Sequence, residues 1–319
     1  RGVPLEAAPE EPAAARRAPG RDGGAPCGHR REAAGLEEFS VTSPFFGAAA
    51  AAQSFEGLSR PLQHALGFLR AVGALPVAGA GSQRAFLPAP AAPLADRPTL
   101  VLDLDETLVH CHCGPGRGSW AQAPPGSEGG EQHALPAPPT DLLVEFDDVP
   151  GRAVGAVAFR PGVRRFLEAA ARRFEVVVFT ASQQSYADKV IDALDPSGLL
   201  VAHRLYRGHC TEYRGAFFKD LGHLGRPLAR CVLVDNSPIS VALNPDNGIL
   251  IRSWFGDPGD RELADLLSTL EVYRASGRDA DRFFACRYGL RDFFGALRSA
   301  VPPRPPAPPG PWPLEAPRP

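Results

Sequence analysis

Two acidic side chains, Asp103 and Asp105, follow an apolar run and are separated by one residue. Because side chains alternate along an extended backbone, both can point into one crevice while Leu104 packs inward. A carboxylate beside phosphorus can attack in line and form an aspartyl phosphate, while a neighbouring acid protonates the departing oxygen. The pair therefore predicts phosphoryl transfer, with one carboxylate as the nucleophile and the other as the proton carrier.

Three further side chains suit the same chemistry. Two like charges need a cation, and Mg²⁺ binds oxygen ligands while polarising a phosphoryl group, so Asn236 is placed to complete a magnesium site. Thr180 precedes Ala181-Ser182, where a hydroxyl and unpaired amides can hold phosphoryl oxygens. Lys219 would oppose the negative charge of the transition state.

The lysine count favours a special role for Lys219. The chain contains 32 Arg and two Lys, so arginine is its usual basic residue and Lys219 is an exception. This exception suggests that a compact ammonium is required at position 219. The other lysine, Lys189, is predicted on the exposed side of a helix and solvated. Each of these residue types is common in turns and on surfaces, and only their joint order along the chain indicates a site.

Four apolar runs predict the strands that must position these residues. They are residues 99–102, 175–179, 231–234 and 249–251, and the first three end directly before Asp103, Thr180 and Asp235. Apolar residues recur at helical spacing near residues 161–170, 186–194 and 263–270. Alternating strands and helices predict an α/β fold with a Rossmann-like, doubly wound parallel sheet. Ligands bind such sheets beyond the carboxyl ends of the strands, so the three strand ends should converge on one crevice.

The flanks differ in composition from this central region. Residues 1–95 are rich in Ala, Pro, Gly and Arg and are predicted to be mostly disordered, with one candidate helix near residues 55–72. Residues 96–300 form the predicted catalytic domain. Residues 301–319 form a predicted disordered tail, because ten prolines occur in its last eighteen residues, and this tail could bind a proline-recognition module.

Composition also bounds the partners and the compartment. A net charge of −2 gives no electrostatic reason to expect direct nucleic-acid binding, which needs a clustered positive surface, and any basic patch must be local. Six scattered cysteines and no secretory segment at the start predict a reducing, intracellular location, nucleus or cytoplasm, without secretion. The most apolar early stretch, residues 64–81, is short and interrupted by Arg70, so no membrane anchor is expected.

The motifs resemble those of the haloacid dehalogenase (HAD) superfamily and, within it, the small C-terminal-domain phosphatases, including the "CTD small phosphatase-like" branch. The resemblance covers roughly residues 97–296. It rests on LDLDETLVH at 102–110, RPGV at 160–163, VFTAS at 178–182, YAD at 186–188, FKDL at 218–221, VDNSP at 234–238 and SWF at 253–255.

The resemblance implies a role for each site residue. Asp103 would be phosphorylated, and Asp105 would be general acid and then general base. Mg²⁺ would be held by Asp103, the main-chain carbonyl of Asp105, and Asn236, while Thr180 and Lys219 would stabilise the transition state. The implied substrates are phosphoserine or phosphothreonine in proteins, notably the tail repeats of RNA polymerase II, besides other phosphoproteins.

Substrate contacts are assigned to Thr107, Arg207 and Asp235, of which Arg207 matches a family position near the substrate. The stretch 113–140 is Gly- and Pro-rich and lacks the apolar content usual there in the family. The predicted insertion is a β-hairpin over residues 142–159, with its turn at Pro150-Gly151. No segment is long enough for a large cap domain, so an open crevice is expected, which suits a phosphorylated loop or tail.

Three alternatives compete with this interpretation. His110-Cys111 and Arg117 satisfy the HCx5R spacing of cysteine-dependent tyrosine phosphatases, but that chemistry needs a loop running into a helix, and residues 118–130 lack a helical pattern. The His and Cys side chains of residues 110–113 could suggest zinc, yet adjacent residues point to different sides, so loop residues are predicted. The third alternative is a scaffold of the same fold that binds phosphoproteins without turnover, but all site residues are present, which favours the enzyme.

Overall fold

Ten strands and seven helices form the part of the chain that the structure describes. This computed structural model describes residue 58 and residues 60–72, 74–76, 85–92, 94–113, 140–146 and 153–299. Its strands are β1 Thr99–Leu102, β2 Val109–Cys113, β3 Leu142–Phe146, β4 Ala153–Phe159, β5 Glu175–Phe179, β6 His203–Leu205, β7 Thr211–Tyr213, β8 Ala216–Phe218, β9 Cys231–Asp235 and β10 Gly248–Leu250. Its helices are α1 Arg60–Ala71, α2 Val163–Ala171, α3 Gln184–Leu194, α4 Pro238–Val241, α5 Glu262–Ser276, α6 Ala280–Tyr288 and α7 Leu290–Ser299.

Five parallel strands form the central sheet, in the order β10-β9-β1-β5-β6. β1, β5 and β9 are buried at every residue, which explains why their sequences are nearly continuous apolar runs. The register aligns Leu102 with both Val178 and Val234, so the residues at the ends of these strands emerge side by side. The prediction of an α/β fold with a doubly wound parallel sheet is confirmed.

Two strands of this sheet differ from the sequence prediction. The sequence does not predict β6, because only Leu205 among its three residues is buried and the strand has no apolar run. The fourth predicted strand, residues 249–251, is β10 and begins one residue earlier, at Gly248. A 3₁₀ turn over Pro245–Asn247 leads directly into it, where the sequence suggests a turn at Asn247-Gly248.

The flanking helices bury the stripes that the sequence predicts. The three predicted helices correspond to α2, α3 and α5, and α2 buries Val163, Phe166, Leu167 and Ala170. Helices α6 and α7 add buried aromatic rings, among them Phe284 and Phe293, to the same core. None of the described helices is both long and apolar enough to cross a membrane.

Helix α1 lies within the range predicted for it, residues 55–72, and it buries Leu62, Leu66 and Leu69 in the main core. Residues 85–92 are also described, and Leu87 is buried in the same core. The ordered fold therefore begins before the predicted boundary at residue 96, because these leucines supply apolar surface that the average composition of the flank conceals. Most of the predicted disordered flank and the whole predicted tail, 301–319, lie outside the described residues.

A three-stranded antiparallel sheet, in the order β2-β4-β3, is inserted between β1 and α2. β3 and β4 confirm the predicted hairpin, whose expected turn at Pro150-Gly151 lies outside the described residues. The prediction of a loop for residues 110–113 is wrong, because they belong to β2 and pair with β4, where the ladder satisfies their backbone groups. In the described part of this insertion there is no larger cap element.

Lys189 contradicts the prediction of a solvated side chain. It is partly buried on α3, and its Nζ donates a hydrogen bond of 2.7 Å to the carbonyl oxygen of Glu145 on β3. β3 is an edge strand of the insertion, so this lysine covers a backbone acceptor that the sheet itself does not use. Its stem is long enough to reach the neighbouring strand, which helical periodicity alone does not indicate.

β7 and β8 form a short antiparallel hairpin that leads directly into Lys219. Tyr213 and Ala216 are its last pair, so Arg214-Gly215 is a two-residue turn. Both turn residues have positive φ, 53° and 79°, as a type I′ turn requires.

Candidate active site

Asp103 lies at the carboxyl end of β1 and is 6% exposed. Its amide donates to the carbonyl of Val234 on β9, at 2.9 Å, which continues the parallel ladder by one residue. One carboxylate oxygen, Oδ1, accepts from Lys219 Nζ at 2.6 Å, and Oδ2 accepts from Thr107 Oγ1 at 2.9 Å. Each oxygen keeps a further lone pair, so these contacts orient the carboxylate and leave it able to interact with another group.

Lys219 joins Asp103 to a second buried carboxylate, Asp235. Its Nζ lies 2.6 Å from Asp235 Oδ2, and Asp235 Oδ1 accepts from the amide of Ser237 at 2.8 Å. Burial alone would lower the pKa of Lys219, but the charges of Asp103 and Asp235 outweigh it and hold that pKa above its usual range. Burial and the nearby Asp103 carboxylate raise the pKa of Asp235, while Lys219 opposes the rise. The ammonium therefore stays charged at the centre of the site.

Asp105 lies in a different environment, among hydroxyl groups. Its Oδ2 accepts from Ser182 Oγ at 2.6 Å and from Thr180 Oγ1 at 3.4 Å, and its Oδ1 accepts from Tyr186 Oη at 2.8 Å. Burial, followed by the charge of Glu106, raises the pKa of Asp105 to about 6, although the hydrogen bonds from Ser182 and Tyr186 oppose the rise. A carboxyl group with this pKa can give and take a proton near neutral pH.

Thr180 ends β5 and is 1% exposed. Its hydroxyl donates to Asp105 and also accepts from the amide of Ser182, at 2.9 Å. Among the amides expected to hold phosphoryl oxygens after this strand, that of Ser182 is therefore already engaged. The Thr180 hydroxyl therefore lies between Asp105 and the turn after β5.

Asn236 follows Asp235 at the end of β9, and its Nδ2 donates to Ser253 Oγ at 3.0 Å. This contact fixes the amide nitrogen, so the amide oxygen is the end that suits a cation. With the Asp103 carboxylate and the carbonyl of Asp105, the donors at this position are all oxygen, which is the set that Mg²⁺ prefers. The described residues contain no group of three or more His, Cys, Asp or Glu able to hold a metal.

The three residues assigned to substrate contacts occupy different positions. Thr107 and Asp235 are 0% and 1% exposed, and they contact Asp103 and Lys219 respectively. Arg207 is partly exposed in a 3₁₀ turn, Arg207–His209. Its Nε donates to the carbonyl of Ala181 at 2.5 Å, and its guanidinium carbon lies 5.2 Å from the centre of the Phe217 ring. Arg207 therefore borders the turn after β5, whereas the other two lie beneath the surface.

Sequence reasoning assigns no role to the hydroxyl groups of Ser182 and Tyr186, which both donate to Asp105, or to Arg160. The Arg160 side chain is buried, pairs with both carboxylate oxygens of Asp260 at 2.8 Å, and donates to the carbonyl of Thr107 at 3.0 Å. All three stand within motifs that carry the family resemblance, which is the only signal in the sequence that marks them. Their partners lie 53 to 100 residues away in the chain, and spacing cannot predict such pairs.

Within the described residues, 110–113, neither alternative site is assembled. Cys111 lies within β2 rather than in a loop that runs into a helix, and Arg117 lies outside the described residues. His110 and His112 share one face of β2, with ring centroids 4.2 Å apart, but Cys111 points to the other face.

Comparison with known families supplies an independent test of these motifs. Residues 98–281, more than half of the chain, match the family described as NLI interacting factor-like phosphatase. The chain belongs to this family. The match contains every site residue described above, and it confirms the resemblance to the small C-terminal-domain phosphatases that the motifs indicate.

Several relatives of this chain are named as C-terminal-domain (CTD) phosphatases. CTD small phosphatase-like protein 3 of Caenorhabditis elegans is 39% identical over 207 residues, which cover 64% of this chain and 65% of the relative. A probable C-terminal domain small phosphatase of Dictyostelium discoideum is 43% identical over 173 residues, which cover 54% of this chain and 49% of the relative. The chain thus spans about half to two thirds of the length of these relatives. CTD nuclear envelope phosphatase 1B of Danio rerio is 39% identical over 181 residues, or 56% of this chain and 67% of the relative.

Proposed function

We propose that this chain is a Mg²⁺-dependent protein serine/threonine phosphatase that acts through an aspartyl-phosphate intermediate. The observation that carries the proposal is the different environment of two neighbouring carboxyl groups. Asp103 faces the Lys219 ammonium, whereas Asp105 faces hydroxyl groups and has a pKa of about 6. Such a pair separates the roles of nucleophile and proton carrier. Names of relatives and membership of a phosphatase family support the same activity.

The reaction divides into two displacements at phosphorus. In the first, a carboxylate oxygen of Asp103 forms a bond to phosphorus, the bond from phosphorus to the serine or threonine oxygen breaks, and Asp105 gives its proton to that oxygen. In the second, Asp105 takes a proton from water, whose oxygen attacks phosphorus. The bond to Asp103 then breaks, inorganic phosphate leaves, and Asp105 holds a proton again.

The other site residues orient these two carboxyl groups and oppose charge. Lys219 and Thr180 would stabilise negative charge on the transferred group. Thr107 and Asp235 are buried, so we propose that they act on the substrate through Asp103 and Lys219, the residues they contact. Mg²⁺ would be held by Asp103, the carbonyl of Asp105 and the amide oxygen of Asn236, and when bound it polarises the phosphoryl group.

The proposed substrate is a phosphoserine or phosphothreonine in an exposed loop or tail of a protein. The described insertion beside the site is a three-stranded sheet with no larger cap element among its described residues, which supports approach by a polypeptide. Arg207, at the border of the site, would contact the substrate next to the phosphate. Relatives named for a C-terminal domain make phosphorylated repeats of RNA polymerase II one substrate to include in any test.

The test is phosphate release from matched phosphoserine, phosphothreonine and phosphotyrosine peptides, with Mg²⁺ or with a chelator. Wild type should release phosphate from the first two only when Mg²⁺ is present. Asp103→Asn should lower kcat by about 10³-fold or more, because the nucleophile is lost. Asp292→Asn is the matched control, since it makes the same chemical change at an exposed position on α7.

Two other outcomes would indicate a different site or function for this chain. Release that survives both the chelator and Asp103→Asn would contradict the proposal and indicate another site. Binding of phosphopeptide by the wild type without any release of phosphate would favour the scaffold alternative.

A further inference from the structure

Two segments that precede the family match pack onto the same core. We call them the N-terminal arm, meaning α1 and residues 85–92. The family match begins at residue 98, yet Leu66 and Leu69 of α1 are 1% exposed and Leu87 is 5% exposed. The arm is therefore part of the folded unit, and its contacts show which part of the site it supports.

Helix α1 contacts both elements that hold the backbone of Lys219. The ring of Phe68 lies 6.3 Å from the ring of Phe218, which is fully buried and directly precedes Lys219. Helix α1 also packs against α4, where the carbonyl of Ser240 accepts from the amide of Lys219 at 3.3 Å. Displacing α1 would therefore loosen the lysine from two sides.

Residues 85–92 hold the chain on the other side of Lys219. The amide of Phe86 donates to the carbonyl of His223 at 2.8 Å, and the amide of Leu87 donates to Leu224 at 3.2 Å. Gly225 has φ +76°, and a Cβ there would lie 2.6 Å from the Cβ of Ala85, so the two segments approach too closely for another residue. The segment after Lys219 is thus fixed by backbone pairing with the arm.

The arm also reaches the turn that carries Arg207. The Phe86 ring lies edge-on to the ring of His209, with centroids 5.2 Å apart, and 5.6 Å from the ring of His223. His209 closes the turn, because its Nδ1 accepts from the amide of Tyr206 at 3.1 Å. Phe86 therefore supports, through His209, the backbone from which Arg207 extends.

We infer that the N-terminal arm is a positioning element of the active site, with Phe68 acting through Phe218 on Lys219 and Phe86 acting through His209 on Arg207. The inference rests on the proposed function for its catalytic consequence. A misplacement of about 1 Å in a reacting group can cost about a hundredfold in rate, so partial loosening should be measurable even when the fold survives. Phe68 should affect kcat, because it supports Lys219 at the phosphate. Phe86 should affect KM, because it supports Arg207, which faces the peptide.

The first test compares Phe68→Ala and Phe86→Ala with the matched control Phe283→Ala. Phe283 is a partly buried ring on α6 that packs on Tyr273 and Phe284 and contacts no site residue described above. We expect Phe68→Ala to lower kcat about tenfold on both a phosphoserine peptide and p-nitrophenyl phosphate. We expect Phe86→Ala to raise KM about tenfold for the peptide only. Phe68→Leu should recover most of kcat, and Phe283→Ala should change neither constant.

Loss of thermal stability in both arm variants with kcat and KM unchanged, measured where each is folded, would overturn the inference. A second measurement does not depend on turnover. Hydrogen exchange of the amides in residues 216–224 should accelerate in Phe68→Ala and Phe86→Ala, while β9, residues 231–235, stays protected. If wild type releases no phosphate, the proposed function fails, and unchanged exchange in residues 216–224 would separately overturn the role of the arm.

Discussion

At the scale of single residues, the site depends on how two carboxyl groups that are two residues apart are treated differently. Asp103 is paired with an ammonium, and Asp105 accepts hydrogen bonds from the hydroxyls of Ser182 and Tyr186. Hydroxyl groups can reverse their direction, so they accommodate both the ionised and the protonated form of Asp105. An ammonium can only donate, so the Lys219 side chain lacks this adaptability. This difference gives Asp105 the capacity to shuttle a proton.

Replacing Asp105 with Asn should separate the two chemical steps. With p-nitrophenyl phosphate the leaving group needs no proton, so we expect a burst of nitrophenolate of about one per enzyme, followed by slow turnover because the base is missing. With a phosphoserine peptide we expect no burst and a kcat about 10²- to 10⁴-fold lower than wild type. Rapid-mixing kinetics on both substrates would measure this, with Asp292→Asn as the control. Equal loss on both substrates without a burst would argue against the acid role.

The site residues that the sequence could place at this scale are those at the ends of strands. Asp103, Thr180 and Asp235 could be located because an apolar run ends beside each of them. Ser182 and Tyr186 could not be assigned roles, because each acts by a contact with a residue about 80 positions away. The local sequence indicates where a strand ends, but it does not indicate which distant side chain contacts the residue at that end.

At the scale of elements, the central sheet has two chemically different ends. The carboxyl ends carry the site, while Glu175 at the start of β5 lies in a buried polar network. Its carboxylate accepts from Arg226 at 2.7 and 2.8 Å, from Thr99 at 2.9 Å, and contacts His203 at 3.2 Å. Burial alone would raise the pKa of Glu175, but these hydrogen bonds outweigh it and hold the pKa well below its ordinary value of 4.5.

Glu175→Gln should therefore reduce stability in a pH-dependent way. The depressed pKa means that the carboxylate stabilises the folded state above pH 4.5, and that this contribution is lost as pH falls below 4.5. At pH 7 we expect the substitution to lower the free energy of unfolding by about 3–5 kcal/mol, because it leaves a buried arginine without its charge partner. At pH 3.5 the difference between variant and wild type should be smaller by about 1 kcal/mol.

Urea unfolding at both pH values would measure these differences. Glu271→Gln serves as the control, since Glu271 is an exposed partner of Arg173 at 3.9 Å and should contribute about 0–1 kcal/mol. A stability difference between Glu175→Gln and wild type that grows on acidification would mean that the pKa of Glu175 is raised, rather than lowered, in the folded state.

Elements were predictable in proportion to their burial. β1, β5 and β9 are buried on both faces and stand out as apolar runs, whereas β2 consists of Val109 followed by alternating His and Cys. Residues 110–113 become a strand only because β4 offers them a ladder, which is a long-range cause. The environment of the Lys189 side chain was predicted wrongly for the same reason, because its partner is a backbone carbonyl of another element.

At the scale of the whole molecule, the described part of the insertion is a three-stranded sheet, and we predict an open crevice that a polypeptide can enter. A phosphopeptide can make contacts beyond the phosphate, near Arg207, that a sugar phosphate lacks, and such remote contacts raise kcat/KM. We therefore expect kcat/KM for phosphoserine peptides to exceed that for sugar phosphates by about tenfold or more. Steady-state assays on both substrate classes would measure the ratio. Efficient hydrolysis of sugar phosphates without activity on phosphopeptides would contradict this prediction.

The hairpin of β7 and β8 has a consequence for the kinds of change that the chain can tolerate. Lys219 follows a strand of three residues, and the turn before that strand contains only Arg214-Gly215. Side chains of a strand alternate between faces, so a slip of one residue would turn the ammonium away from Asp103 and Asp235. An insertion or deletion of one residue in this hairpin is therefore incompatible with the site. A shift of the hairpin by an odd number of residues would therefore misplace Lys219 even if every side chain kept its chemical type.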